Sequence, residues 1–192
     1  GKGKGKEPTN IYFDCETYTT KKHKHIPYLV CLKDDDGTVP FKTKYCFEEM
    51  LDHLAQKYGS LEFDNAPELR MYAHNSTYDG SFMLRHLMNL QILEKDNNYV
   101  SMKGAYCYWK DGAKKYINVL VKDSYRLIPM RLADIPESLG FKDKAVKEVM
   151  YYNMFNYTTM DHITRMSKNE LTRYLQEFNN NSHNSKKKLD EK

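Results

Sequence analysis

The stretch N-I-Y-F-D-C-E-T-Y, residues 10–18, decides how this chain is read. It has the apolar pattern of a strand, yet Asp14 and Glu16 interrupt it two positions apart. In a strand, residues i and i+2 point to the same face, so the two acids project together while Phe13 and Cys15 point to the packed side. Two ionised carboxylates side by side repel, and they are costly to desolvate unless a cation sits between them. Oxygen ligands without nitrogen or sulfur favour Mg²⁺ or Mn²⁺ over zinc. The same tripeptide also suits an edge strand whose acids face water, and D-x-E alone does not choose between these.

A second stretch, A-H-N-S-T-Y-D-G-S-F-M-L at residues 73–84, weighs on that choice. It puts Asp79 just after a short apolar strand, L-R-M-Y-A-H, and at the mouth of the next predicted helix, residues 81–90. A third carboxylate there would complete a pocket for two hard metals, roughly 3.5–4 Å apart in sites of this kind. Asp79 could equally be a helix N-cap, and Asn75 and Tyr78 ordinary loop residues.

The 192 residues suit one domain, and 40% hydrophobic against 29% charged content supports a globular fold. No apolar run approaches the length needed to span a bilayer, and no membrane partner is expected. The start, G-K-G-K-G-K-E-P, fits neither a secretory signal nor a mitochondrial presequence. It lacks Met, so a processed product or a piece of a longer protein is expected. The four cysteines form no C-x-x-C pair, which argues against zinc and for free thiols in a reducing compartment. The net charge of +4 is mild, with lysines clustered at both ends and at residues 21–24. Sixteen tyrosines and eight phenylalanines beside lysines are compatible with a single-stranded nucleic-acid channel, although most such rings serve as core.

Along the chain, strands are predicted at residues 11–18, 26–32 and 39–47, an antiparallel meander. A helix follows, with Met50, Leu51, Leu54 and Tyr58 on one face and Gly59 as C-cap. The next strand should lie parallel to the first. Residues 99–121 read as a hairpin around W-K-D-G-A-K-K, followed by short helices punctuated by Pro129 and Pro136 and a further helix over 168–178. The expected class is α/β, an RNase H-like mixed sheet flanked by helices, with an added β-hairpin. The expected division is a basic tail (1–8), the domain (9–178) and a polar flexible tail (179–192).

F-D-C-E-T resembles the first exonuclease motif of family B DNA polymerases, and H-N-S-T-Y-D resembles the second. D-S-Y-R-L-I-P is similar to the Ser-Leu element of their protein-primed branch, found in small phages, adenoviruses and linear mitochondrial plasmids. The likeness runs over roughly residues 8–150. It implies an RNase H-like domain that proofreads 3′→5′ with two metals, Mg²⁺ or Mn²⁺, on the primer's single-stranded 3′ end. It also implies DNA-directed DNA synthesis by the rest of a parent polymerase, with a terminal priming protein as partner. By position it makes Asp14, Glu16 and Asp79 metal ligands and catalytic residues, and Thr17, His74, Asn75, Tyr78, Phe82 and Ser124 contacts to DNA. Tyr125 departs from the family, standing where Leu is usual. The family's third motif, Y-x-x-x-D, supplies a fourth acid. Its literal match here, Tyr157 with Asp161, arrives early, so the chain is expected to be a fragment ending before that motif. The alternatives are a stand-alone exonuclease using Asp161, or a non-catalytic DNA-binding remnant.

Overall fold

The computed structural model describes residues 8–95 and 98–140, and positions 167, 169, 170, 172, 173 and 176. Tyr157, Asp161, residues 1–7 of the expected basic tail (1–8) and the expected tail at 179–192 lie outside the described residues. The chain divides into two compact units, Gly1–Thr17 with Ile26–Val149, and Tyr18–His25 with Met150–Lys192.

The first unit is built on a seven-stranded mixed sheet of order β3-β2-β1-β4-β7-β6-β5. Its strands are β1 (Thr9–Thr19), β2 (His25–Asp34), β3 (Gly37–Phe41), β4 (Glu68–Ala73), β5 (Met88–Lys95), β6 (Asn98–Lys110) and β7 (Ala113–Asp123). The helices are α1 (Cys46–Tyr58), α2 (Ser76–Ser81), α3 (Ser124–Leu127) and α4 (Ile135–Ser138). This is the RNase H-like architecture expected, with β4 parallel to both β1 and β7. Pleating sends Ile11, Phe13 and Cys15, then Leu69, Met71 and Ala73, then Ile117, Val119 and Val121 to one face. There they meet the buried side of α1: Phe47, Met50, Leu51 and Leu54. The β6–β7 hairpin turns on Asp111 (φ 52°) and Gly112 (φ 78°), the paired left-handed residues of a type I′ turn.

Gly59 caps α1 as expected, but for space rather than for a left-handed backbone. Its φ is −65°, and its N–H donates to the Ala55 carbonyl. A Cβ there would lie 2.3 Å from that same oxygen.

Two sequence expectations are corrected. The third strand stops at Phe41, because Cys46 and Phe47 turn their side chains into the core as the first turn of α1. The helix expected over 81–90 is absent. Its place is taken by α2, a 3₁₀ turn at Leu84–His86, and β5. Phe82, Met83, Leu84 and Leu87 do have helical spacing, but the open edge of β6 recruits the following residues into an antiparallel ladder. Gly104 allows this, since a Cβ on it would lie 2.8 Å from that of Leu87. Tertiary pairing here overrides local periodicity.

In the second unit, Thr20 organises a tight turn. Its carbonyl accepts from His23 N–H (2.9 Å) and its hydroxyl from Lys24 N–H (3.1 Å), with His23 left-handed at φ 57°. Farther along, Ser167 and Glu170 form a capping box, the Ser167 N–H reaching Glu170 Oε2 at 2.8 Å. The described positions after it, 169, 170, 172, 173 and 176, are helical, as expected.

Candidate active site

β1 is the third strand of the sheet, not an edge, so its acids are not there merely to solvate a rim. Phe13 and Cys15 are buried, Asp14 is exposed and Glu16 half-buried, as the alternation predicts. The parallel pairing of β1 with β4 runs to Tyr12 opposite Tyr72, whose rings stack at 5.6 Å. Asp14 and Glu16 therefore lie just beyond the paired segment, where β4 gives way to the turn that leads into α2.

That turn is built by Asn75, which takes the left-handed conformation at φ 68° and ψ 55°. Asn tolerates this region better than most residues. Its N–H donates to Asp123 Oδ1 at 2.9 Å, and the same oxygen accepts from Tyr125 N–H at 3.0 Å. Asp123 thus ties the β4–α2 turn to the start of α3. The sequence reading passed over it. The signal was present, an acid ending a strand directly before S-Y-R-L, which is N-cap chemistry.

Asp79 lies inside α2 rather than at its N-cap, and is buried. Its Oδ1 accepts a hydrogen bond from the Cys15 thiol at 2.9 Å. Cys15 is therefore more than packing: it joins the first acidic stretch to the second. Burial, and then repulsion from the Asp14 carboxylate, push the Asp79 pKa up to about 6, against the pull of the Cys15 thiol. Burial and the Asp79 contact push the Cys15 thiol far above its ordinary range.

Thr17 and Tyr78 share a hydrogen bond of 2.6 Å between their hydroxyls. Burial raises the Tyr78 pKa, and the charges of Asp79 and Glu16 add to it. Tyr78 is 38% exposed, and its ring meets Phe82 edge-on at 5.2 Å. Phe82 packs on Phe47 at 5.8 Å and belongs to the rim of the core. His74 Nε2 donates to the Met130 carbonyl (3.1 Å), while Nδ1 meets the Ser124 hydroxyl (3.2 Å). Two cavities open here. One of about 270 Å³ includes Tyr12, Asp14, Tyr72, His74 and Ser124 in its lining. The other, about 430 Å³, is lined by Asn75, Thr77, Asp123, Tyr125, Arg126 and Pro129.

Hydrogen bonds thus join Cys15 to Asp79, Thr17 to Tyr78 and His74 to Ser124, while Asp14 and Glu16 lie on the face of β1 opposite Cys15. The three carboxylates offer only oxygen donors, chemistry that fits a hard divalent cation. Among the described residues, however, no three His, Cys, Asp or Glu side chains stand ready around one metal position.

No protein-family model matches the chain, and no curated protein matches it. Solved structures do. The fold is similar to phi29 DNA polymerase complexed with primer-template DNA and incoming nucleotide substrates (TM-score 0.53, 13% identity, 76% of this chain and 25% of that one). It is likewise similar to phi29 DNA polymerase complexed with single-stranded DNA (TM-score 0.52, 16% identity, 76% and 25%). The chain spans a quarter of the length of these structures, and at such identities the likeness is one of fold.

Proposed function

We propose that this chain is a 3′→5′ exonuclease domain of a protein-primed family B DNA polymerase, acting on the single-stranded 3′ end of DNA. The observation that carries this reading is the Cys15–Asp79 hydrogen bond, which sets the helix bearing Asp79 against the strand bearing Asp14 and Glu16, although the bonded residues lie 64 positions apart. A fold shared with phi29 DNA polymerase supports it. Asp14, Glu16 and Asp79 would hold Mg²⁺ or Mn²⁺, which when bound activates water and offsets the charge on the phosphodiester.

The chain's own residues bind and position the strand. Tyr78 presents a half-exposed ring for an unpaired base, with its hydroxyl fixed by Thr17. Asn75 and Asp123 fix the turn that carries α2, and with it Asp79. His74, pinned through Met130 and Ser124, lines the cavity that Asp14 also lines. Polymerisation and priming-protein contacts belong to the parent polymerase in this reading. In this reading the chain alone binds DNA weakly and cuts slowly.

The test is digestion of a 5′-labelled single strand with Mn²⁺. The reading requires shortening from the 3′ end that disappears in Asp14→Ala and Glu16→Ala. Absence of 3′ shortening by the wild type, with metal binding unchanged in both variants, would leave only the DNA-binding remnant. If loss occurs in Asp161→Ala as well, the stand-alone exonuclease is the correct form.

A further inference from the structure

The β6–β7 hairpin carries a feature that the candidate site does not use. Trp109, the chain's single tryptophan, is 69% exposed near the hairpin tip. It pairs across the strands with Lys114, whose ammonium lies 4.5 Å from the ring centroid. Lys110 and Lys115 flank the pair, with Asp111 the one acid among residues 109–116. Lys115 Nζ donates to the Gln56 carbonyl at 2.7 Å, fastening the tip to α1. The two-residue turn at Asp111 and Gly112 stiffens it further.

By strand alternation Lys114 and Tyr116 share a sheet face with Trp109, and Phe63 meets Tyr116 edge-on at 5.6 Å. Exposed rings interleaved with cations are what an unpaired nucleic-acid strand needs: π-faces for bases and ammonium groups for phosphates.

The pairings place this row relative to the acids. Lys122 pairs with Tyr72 and Tyr72 with Tyr12, so Lys114, Lys122, Tyr72, Tyr12 and Asp14 share one sheet face. Eight residues of β7 separate Lys114 from Lys122, about 26 Å at the usual strand rise. Asp14 lies two strands across and two residues further along, about 34 Å from Lys114, which a single strand covers in about ten nucleotides at 3.4 Å each.

We propose that the hairpin tip, through Trp109 and Lys114, is a second contact for single-stranded DNA, engaged only by strands long enough to leave the candidate active site. The choice of DNA as occupant rests on the function proposed above, while the contact itself is read independently of any cleavage.

Trp109 supplies its own probe. The whole chain is titrated with (dT)4 and (dT)20 without metal, recording tryptophan emission and, in parallel, the anisotropy of 5′-labelled oligonucleotide. The expected result is emission quenched by (dT)20 and several-fold tighter binding of (dT)20 than of (dT)4. In Lys114→Ala that advantage should disappear, and the slope of log affinity against log salt should shrink by about 0.7 for one lost phosphate contact. Binding of (dT)20 with unchanged emission, an unchanged Lys114→Ala variant, or no binding by either readout would overturn the proposal. The two readings separate in Asp14→Ala. Quenching retained there, in a protein whose wild type shows no Mn²⁺-dependent cleavage, keeps the hairpin contact and removes the active-site reading.

Discussion

The Cys15 thiol donates to Asp79 Oδ1 at 2.9 Å, so the strand bearing the first two acids and the helix bearing the third are joined from the packed side of the sheet. This bond and the burial around it set the electrostatics of the site, and they give it a pH dependence.

Asp79 binds its proton more tightly when folded, at about 6, than at its ordinary 3.8. A raised acid burdens the folded state only where it must ionise. The cost is absent below about pH 4, grows between pH 4 and 6 and is complete above pH 6. Two pKa units set its size at about 2–3 kcal/mol. Asp79→Asn should therefore raise stability by about 2 kcal/mol at pH 8 and leave it nearly unchanged at pH 4. Urea unfolding at the two pH values measures this, and the same variant should lose Mn²⁺-dependent cleavage.

Thiol chemistry checks the bond itself. With its pKa pushed far up, native Cys15 should resist iodoacetamide at pH 8 and react only after unfolding. Mass spectrometry of peptides from native and unfolded protein reads the outcome.

The Thr17–Tyr78 hydroxyl pair should behave as one unit. A double-mutant cycle of Thr17→Val and Tyr78→Phe is expected to show a coupling of about 0.5–1.5 kcal/mol in unfolding free energy. Each single variant should weaken single-stranded DNA binding, measured by anisotropy. Additive effects on stability would mean that the two hydroxyls do not depend on each other.

Away from the site, Asp34 clamps the β2–β3 hairpin to α1. It accepts from Lys57 at 2.6 Å and from Tyr58 at 2.8 Å. Burial alone would raise its pKa, but these donors and the Asp36 N–H outweigh it and hold the carboxyl at about 2. A depressed acid stabilises above its ordinary pKa, so this contribution should fade as pH falls from about 4 to 2. Asp34→Ala should cost about 2 kcal/mol at neutral pH, the scale of hydrogen bonds to a buried charge. Thermal unfolding of wild type and variant at pH 7 and pH 2.5 should converge at the lower value.

Much of this was legible in the residues. The alternation at Phe13, Asp14, Cys15 and Glu16 fixed their faces, since strand pleating follows from local geometry alone. D-G between alternating runs located the hairpin for the same reason. The helix expected at 81–90 failed because a neighbouring strand edge and a close approach at Gly104 decided it, and neither is local. Cys15 reads as a packing residue in one dimension because its partner lies 64 positions away. Asp123 went unassigned although its cap chemistry was visible, because its second bond, to the Asn75 N–H, exists only after β4 and β7 pair.

In the proposed function, Asp79 shares one electrostatic site with Asp14 and with a divalent cation. Carboxyl ¹³C NMR of Asp79 across pH, with and without Mg²⁺, tests this directly. The prediction is a midpoint near 6 without metal, lower in Asp14→Ala and lower again in wild type with millimolar Mg²⁺, since metal and proton compete for the same oxygens. A midpoint near 4, or one that neither Asp14→Ala nor Mg²⁺ moves, would contradict it.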